Sequence, residues 1–272
     1  MSRQAADAAL AAGDLAASRA HLVEAIRNQP GEPGLRSFLF QLSCVLGDWT
    51  RADRQLDMLG QLQPDALDMV ADYRAAIAAE AVRAAVMAGT IPPDIFGDPK
   101  PWAQDLAEAL RLEARGEPTA AADLRSRALD AAPAVPGTLD GTGFDWLADA
   151  DTRFGPMLEV VMNGAYRWLA LSDLTGLELT APSDLRDVVW SVGIATFAEG
   201  AQWPVLIPAR YPGTEASGDP ALMLGRRTEW RALGAEGHAA GLGQRLLAHE
   251  AGDVGLLDLR SLTLTPPAGD GG

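Results

Sequence analysis

Along the first 130 residues apolar positions recur at helical spacing, while beyond residue 150 they fall into short runs divided by turn residues. In the first part, Ser18, Leu22, Ala25 and Ile26, then Ala52, Leu56 and Leu59, then Ala121, Leu124, Ala128 and Leu129 form small-residue stripes. Such stripes let neighbouring helices approach closely. Each stripe sits in the same frame. Gly13-Asp14 opens a stretch that closes at Pro30, Gly47-Asp48 one that closes at Pro64, and Gly116-Glu117 one that closes at Pro133. Glycine ends a helix by taking positive φ, aspartate caps the next one, and proline stops it; Glu117 is the poorer cap. Gly13 and Gly47, like Pro30 and Pro64, stand 34 positions apart, the period of the tetratricopeptide repeat. A degenerate unit is expected between the second and third frames. Its helix spans 66–88 with the stripe Leu67, Val70, Tyr73, Ile77, Ala81 and Val82, followed by a proline-rich loop over 90–101.

The second part reads as β-structure. Met157 to Leu171 reads as two strands about an Asn163-Gly164 turn, the dipeptide that most favours a two-residue hairpin loop. Further strands are expected over 188–197, 204–207 and 256–264, with one beginning near Ala221 and closing at Thr228 to Trp230. The fold class is therefore α+β in two domains. Residues 1–133 make tetratricopeptide-like helical repeats, 134–149 a linker, and 150–265 a mostly-β domain shaped as a small barrel or bent sheet. The tail 266–272 is expected to be disordered.

Stacked repeats of this kind line a concave face with the first helix of each unit. The frame puts Gly34, Ser37, Gln41, Cys44 and Val45 there, then Asp68, Ala71, Ala75, Ala78 and Ala79, then Ala103, Leu106, Leu110, Glu113 and Ala114. These side chains are small and apolar, which suits an amphipathic helix docked in a groove. The competing reading packs the same alanines against the second domain.

Charge and composition narrow the partners. A net charge of −15 with a single lysine, Lys100, argues against nucleic acid and anionic membranes. No apolar run is long enough for a membrane helix, the N-terminus lacks a signal pattern, and the lone Cys44 fits a reducing compartment. A cytoplasmic protein is expected. Catalytic signals are few. His21, His238 and His249 lack metal-ligand spacing, and no cofactor motif occurs. The Asp140, Asp145, Asp149 and Asp151 cluster fails as a calcium loop, because Arg153 and Phe154 stand where a ligand oxygen and a glycine are required. The Asp184–Asp187 run reads as local ion pairs and a cap.

A resemblance enters with the stretch from Asp145 and Trp146 through Asp149, Asp151 and Arg153 to Pro156, followed by Asn163-Gly164. The runs from Asp184 and Arg186 to Trp190, from Ile207 through Tyr211 to Gly213, and from Arg227 to Trp230 follow in order. This series resembles the ImpE family, also called TagJ or SciE-type. The resemblance implies a bacterial, non-enzymatic adaptor of type VI secretion. It further implies contact with the N-terminal helix of the sheath small subunit and a link to the AAA+ unfoldase that recycles the sheath. A generic repeat adaptor or co-chaperone is the alternative, and an enzyme with an acidic cleft in the β domain the remote one.

Overall fold

The computed structural model describes residues 3–234 and 237–265. The expectation for 266–272 lies outside them. Seven helices of two turns or more come first: α1 (Arg3–Ala11), α2 (Leu15–Asn28), α3 (Pro33–Val45), α4 (Trp49–Leu62), α5 (Leu67–Met87), α6 (Pro101–Ala114) and α7 (Pro118–Ala131). The frames are visible as local geometry. Gly13 and Gly47 take φ of 81° and 67° at helix ends. Asp14 then accepts from Ala17 N at 2.8 Å and Asp48 from Arg51 N at 3.2 Å. Glu117 caps nothing with its side chain.

Strands follow: β1 (Gly137–Leu139), β2 (Thr142–Phe144), β3 (Ala148–Asp149), β4 (Met157–Met162), β5 (Ala165–Ala170), β6 (Leu174–Leu179), β7 (Trp190–Phe197) and β8 (Gln202–Pro208). After a one-turn helix α8 (Pro220–Met223) come β9 (Thr228–Ala232), β10 (Ala239–Gly243), β11 (Leu246–His249), β12 (Gly252–Gly255) and β13 (Ser261–Leu264). Eight strands form an antiparallel sheet in the order β2-β1-β13-β6-β7-β8-β4-β5, flanked by a β9–β10 ribbon and a β12-β11-β3 sheet. Asn163 and Gly164 carry φ of 51° and 73° at the tip of the β4–β5 hairpin.

Four expectations change. The segment 134–149 is not a linker, because β1 pairs with β13 and β3 with β11. Residues near Ala221 are helical, since Asp219 caps Ala221 N and Leu222 N and Pro220 opens the turn. The last expected strand begins only at Ser261, after a turn at 256–258. On α5 the buried stripe is Val70, Tyr73, Ala76, Ala79, Arg83 and Val86, while Leu67 and Val82 are exposed. An arginine displaces valine from the inner face because a buried carboxylate waits for it there.

The two halves share their cores. One apolar cluster lies within the sheet. A second joins α1–α5 to Val189, Trp190, Met223 and Leu224. The third joins Ala79, Val86, Trp102, Leu106 and Leu110 to Phe154, Met157, Tyr166, Trp168 and Tyr211. The C-terminal half therefore lies against the inner side of the helices.

Candidate functional site

Burying charge is tolerable only where opposite charge and hydrogen bonds compensate it. Four fully buried ionisable groups meet that condition where the halves join. Glu159 stands mid-strand in β4, and Arg83 of α5 donates to it through Nε and Nη2, both at 2.8 Å. Arg245, in the step between β10 and β11, bonds both Glu159 and Asp149. Its Nε donates to Pro208 O at 2.9 Å, and its guanidinium lies 4.9 Å from the Phe154 ring. Tyr166 donates to Glu159 at 2.5 Å and accepts from Trp168 Nε1 at 2.7 Å. Tyr211 donates to Asp149 at 2.8 Å.

The electrostatics follow the partners. Burial alone pushes the Glu159 carboxyl up, but Arg83 and Arg245 outweigh it and hold the group at about 2. For Asp149 burial, with the nearby Asp151, outweighs the single guanidinium of Arg245, so its carboxyl is raised to about 7. Asp151 is instead held by Arg153, by Arg153 N at 3.0 Å and by Gly241 N at 2.8 Å. A Cβ on Gly241 would come within 2.1 Å of the Tyr211 ring, so only glycine lets β10 lie on that ring. Arg210 closes the junction. Its Nη1 donates to Val45 O at 3.0 Å and Met223 O at 2.5 Å, satisfying a helix-end carbonyl of α3. With no carboxylate in direct contact, burial lowers its guanidinium to about 10.

Of the residues singled out from sequence, Asp149, Asp151, Arg153 and Tyr211 converge on this network. Trp190 belongs to the same junction, its Nε1 donating to Glu80 at 2.9 Å. Arg186 lies 4.5 Å from the Tyr73 ring and pairs with Asp184 at 2.8 Å. Asp145, Trp146 and Trp230 are exposed, and the Trp230 ring lies tilted against Tyr211, 5.6 Å between centroids. Asn163 and Gly164 lie at the hairpin tip. Sequence reasoning missed the roles of Arg83, Arg210 and Arg245; the one available signal was Glu159, a lone charge inside an apolar strand.

The expected groove is not open. Leu106 and Leu110 are 1 % and 4 % exposed, packed in the core shared with Phe154 and Trp168. Gln41 is buried, bonding Leu185 N at 2.9 Å, and Cys44 and Val45 present their carbonyls to Arg210. Ser37 is half-buried beside Gln41, and Glu113 pairs with the buried Arg125 at 2.6 Å. Ala71 and Ala78 are exposed on another side of α5. Cys44, Val45, Ala79, Ala103, Leu106 and Leu110 are thus buried in cores shared with the C-terminal half, as the competing reading has it, whereas Ala71 and Ala78 are not.

Open apolar surface lies elsewhere. A cleft of about 430 Å³ between α5 and the sheet is lined by Asp72, Tyr73, Ala75, Val161, Asn163, Gly164, Val192 and 203–206. Another of about 500 Å³, lined by Gly89, Ile91, Pro92, Ile95, Ala107 and Leu110 among others, separates the proline-rich loop from α6. None of Glu159, Asp149, Arg83, Arg245 and Arg210 lines either one. Among the described residues, no three His, Cys, Asp or Glu side chains gather as a metal site, and no helix is long and apolar enough to cross a membrane.

The ImpE protein family model matches residues 141–263. Over 261 residues the chain is 48% identical to the type VI secretion system accessory component TagJ of Pseudomonas aeruginosa, covering 96% of this chain and 91% of that protein. The chain belongs to the ImpE family. A crystal structure of a Vibrio parahaemolyticus protein, 23% identical, superposes with a TM-score of 0.86 over 96% of this chain and 98% of that one. That likeness gives the same succession of helices and antiparallel sheet. The family match covers the segment that carries Asp149, Glu159, Arg210 and Arg245, so the junction is built largely from the family's own region of the chain.

Proposed function

We propose that this ImpE-family chain is a cytoplasmic accessory component of a bacterial type VI secretion system, acting as a non-catalytic adaptor. The observation that carries this reading is the identity of nearly half, end to end, with a relative named as such a component. In this reading the helix pairs are a degenerate tetratricopeptide-like stack whose partner is the sheath small subunit, bound through that subunit's N-terminal helix. Contact with the recycling AAA+ unfoldase then couples sheath and unfoldase. The buried network supports an architectural role over a catalytic one, because its groups are closed off from the clefts described and each ion is matched by a partner.

The test is co-elution. The purified chain and the sheath small subunit of the same bacterium should leave a sizing column together, and a small subunit lacking its N-terminal helix should elute alone. Co-elution that survives removal of that helix contradicts the proposed contact.

A further inference from the structure

The sheet face that meets the helices does not end where α5 stops covering it. In an antiparallel strand alternate residues share a face. Trp190 of β7 packs under α5, its ring 6.0 Å from Tyr73. Val192 and Ile194 follow on that face, half-buried and 46 % exposed respectively. On β8 the partners in register are Leu206 opposite Val192 and Pro204 opposite Ile194. Leu206 still packs against the helical cores, whereas Pro204 is exposed. An apolar face thus runs out from beneath α5: Val192, Leu206 and Pro204 line the 430 Å³ cleft, and Ile194, beside Pro204 in register, extends the face past its rim.

We propose that this cleft is the docking site for the amphipathic helix of the adaptor's protein partner, and that the helix carries lysine or arginine along one flank. The inference rests on the adaptor reading and deepens it. Its shape argument is continuity: a helix laid beside α5 extends the layer of helices already packed on this face, at the 8–10 Å spacing usual between helices. Its apolar side would cover Val192, Ile194 and Pro204. Its chemistry comes from the wall. Asp68 and Asp72, one turn apart on α5, are exposed, and Asp72 lines the cleft. Exposed acids beside an apolar floor favour a basic flank, and in a protein of net charge −15 the long-range field acts in the same direction. The Asn163-Gly164 tip closes one end. Gly164 faces Ala75 of α5, an added Cβ there coming only to 4.0 Å, so the hairpin already approaches the helix and limits how far a guest can slide.

The experiment is calorimetric titration of the full chain with a synthetic peptide copying the N-terminal helix of the sheath small subunit, repeated at low and high salt. Ile194→Glu should weaken binding at least tenfold, because a carboxylate would be covered by the guest's apolar side. Since Ile194 is exposed, this variant should fold as the parent does. Asp68→Lys with Asp72→Lys should weaken binding several-fold and flatten the salt dependence. Ile91→Glu, in the other cleft, should leave affinity unchanged. Full affinity in Ile194→Glu, or a loss in Ile91→Glu alone, overturns the cleft assignment while leaving the adaptor reading intact. Absence of binding by the unmodified chain overturns the adaptor reading, and the cleft assignment with it.

Discussion

The two halves of α5 meet the same sheet under opposite conditions. From Ala76 to Val86 the helix is sealed down: Ala79 and Val86 enter a shared core and Arg83 is bonded to Glu159. From Asp68 to Ala75 the helix keeps Val70 and Tyr73 buried, but its flank at Asp72, Tyr73 and Ala75 borders an open cleft. What separates them is the floor. Beneath the sealed half lies a carboxylate that cannot remain unpaired, whereas beneath the open half lie Val192 and Pro204, which tolerate water. The buried ions thus fix where the halves lock, and the apolar overhang beyond the lock is left free to take a guest.

The sealed side should break most severely where the core is dry. Leu106→Glu puts an unpaired carboxylate against Phe154 and Trp168, and we expect loss of cooperative folding by circular dichroism; a soluble variant with a normal melt would reopen the groove reading. Next comes Glu159→Ala. It leaves Arg83 and Arg245 facing each other without the carboxylate between them, at a cost of about 3–5 kcal/mol in urea unfolding. A change below about 1 kcal/mol would mean that the network does not lock the halves.

Acid probes the same lock without mutation. Glu159 is held at about 2, below its ordinary 4.5. Its contribution is therefore complete above pH 4.5 and is lost as pH falls toward 2, about 3 kcal/mol in all. Asp149 has the opposite sign. Its carboxyl is raised from 3.8 to about 7, so the folded state retains a proton that the unfolded chain releases, and stability declines as pH rises through that window. Asp149→Asn should remove that decline, and urea midpoints measured from pH 2 to 8 separate the two limbs. The smallest effects belong to the open side. Arg74→Ala breaks only half-exposed pairs with Asp53 and Asp57, and Ile194→Glu alters an exposed side chain. Each should shift stability by no more than about 0.5 kcal/mol in the same melts.

The sequence carried the elements better than their assembly. Gly47, Asp48 and the small-residue stripes report local geometry, which periodicity and capping express directly, and Asn163-Gly164 announced its hairpin for the same reason. Strands β1–β3, β6 and β10–β12 left no clear signal, since the first three are only two or three residues long and Gly176, Gly241 and Gly243 interrupt alternation in β6 and β10. Thr228 to Trp230, expected as strand, lies in β9. The burial of several expected groove residues was equally hidden. Gln41, Leu106 and Leu110 look alike as groove lining or as interdomain core, and the choice depends on Arg210, Arg245 and Glu159 finding partners 76 to 165 residues away. The family series in 145–230 identified the relatives, but it marked Tyr211 and Asp149 without revealing that they serve a buried lock.

Hydrogen exchange of the full chain, with and without the small-subunit helix peptide, tests the central claim most directly. If the concave face is sealed and the cleft receives the partner, bound peptide should slow exchange in 68–75, 190–194 and 203–206, with 36–45 and 103–110 already protected and unchanged. New protection confined to 36–45 and 103–110, with the cleft segments unaffected, would contradict the account.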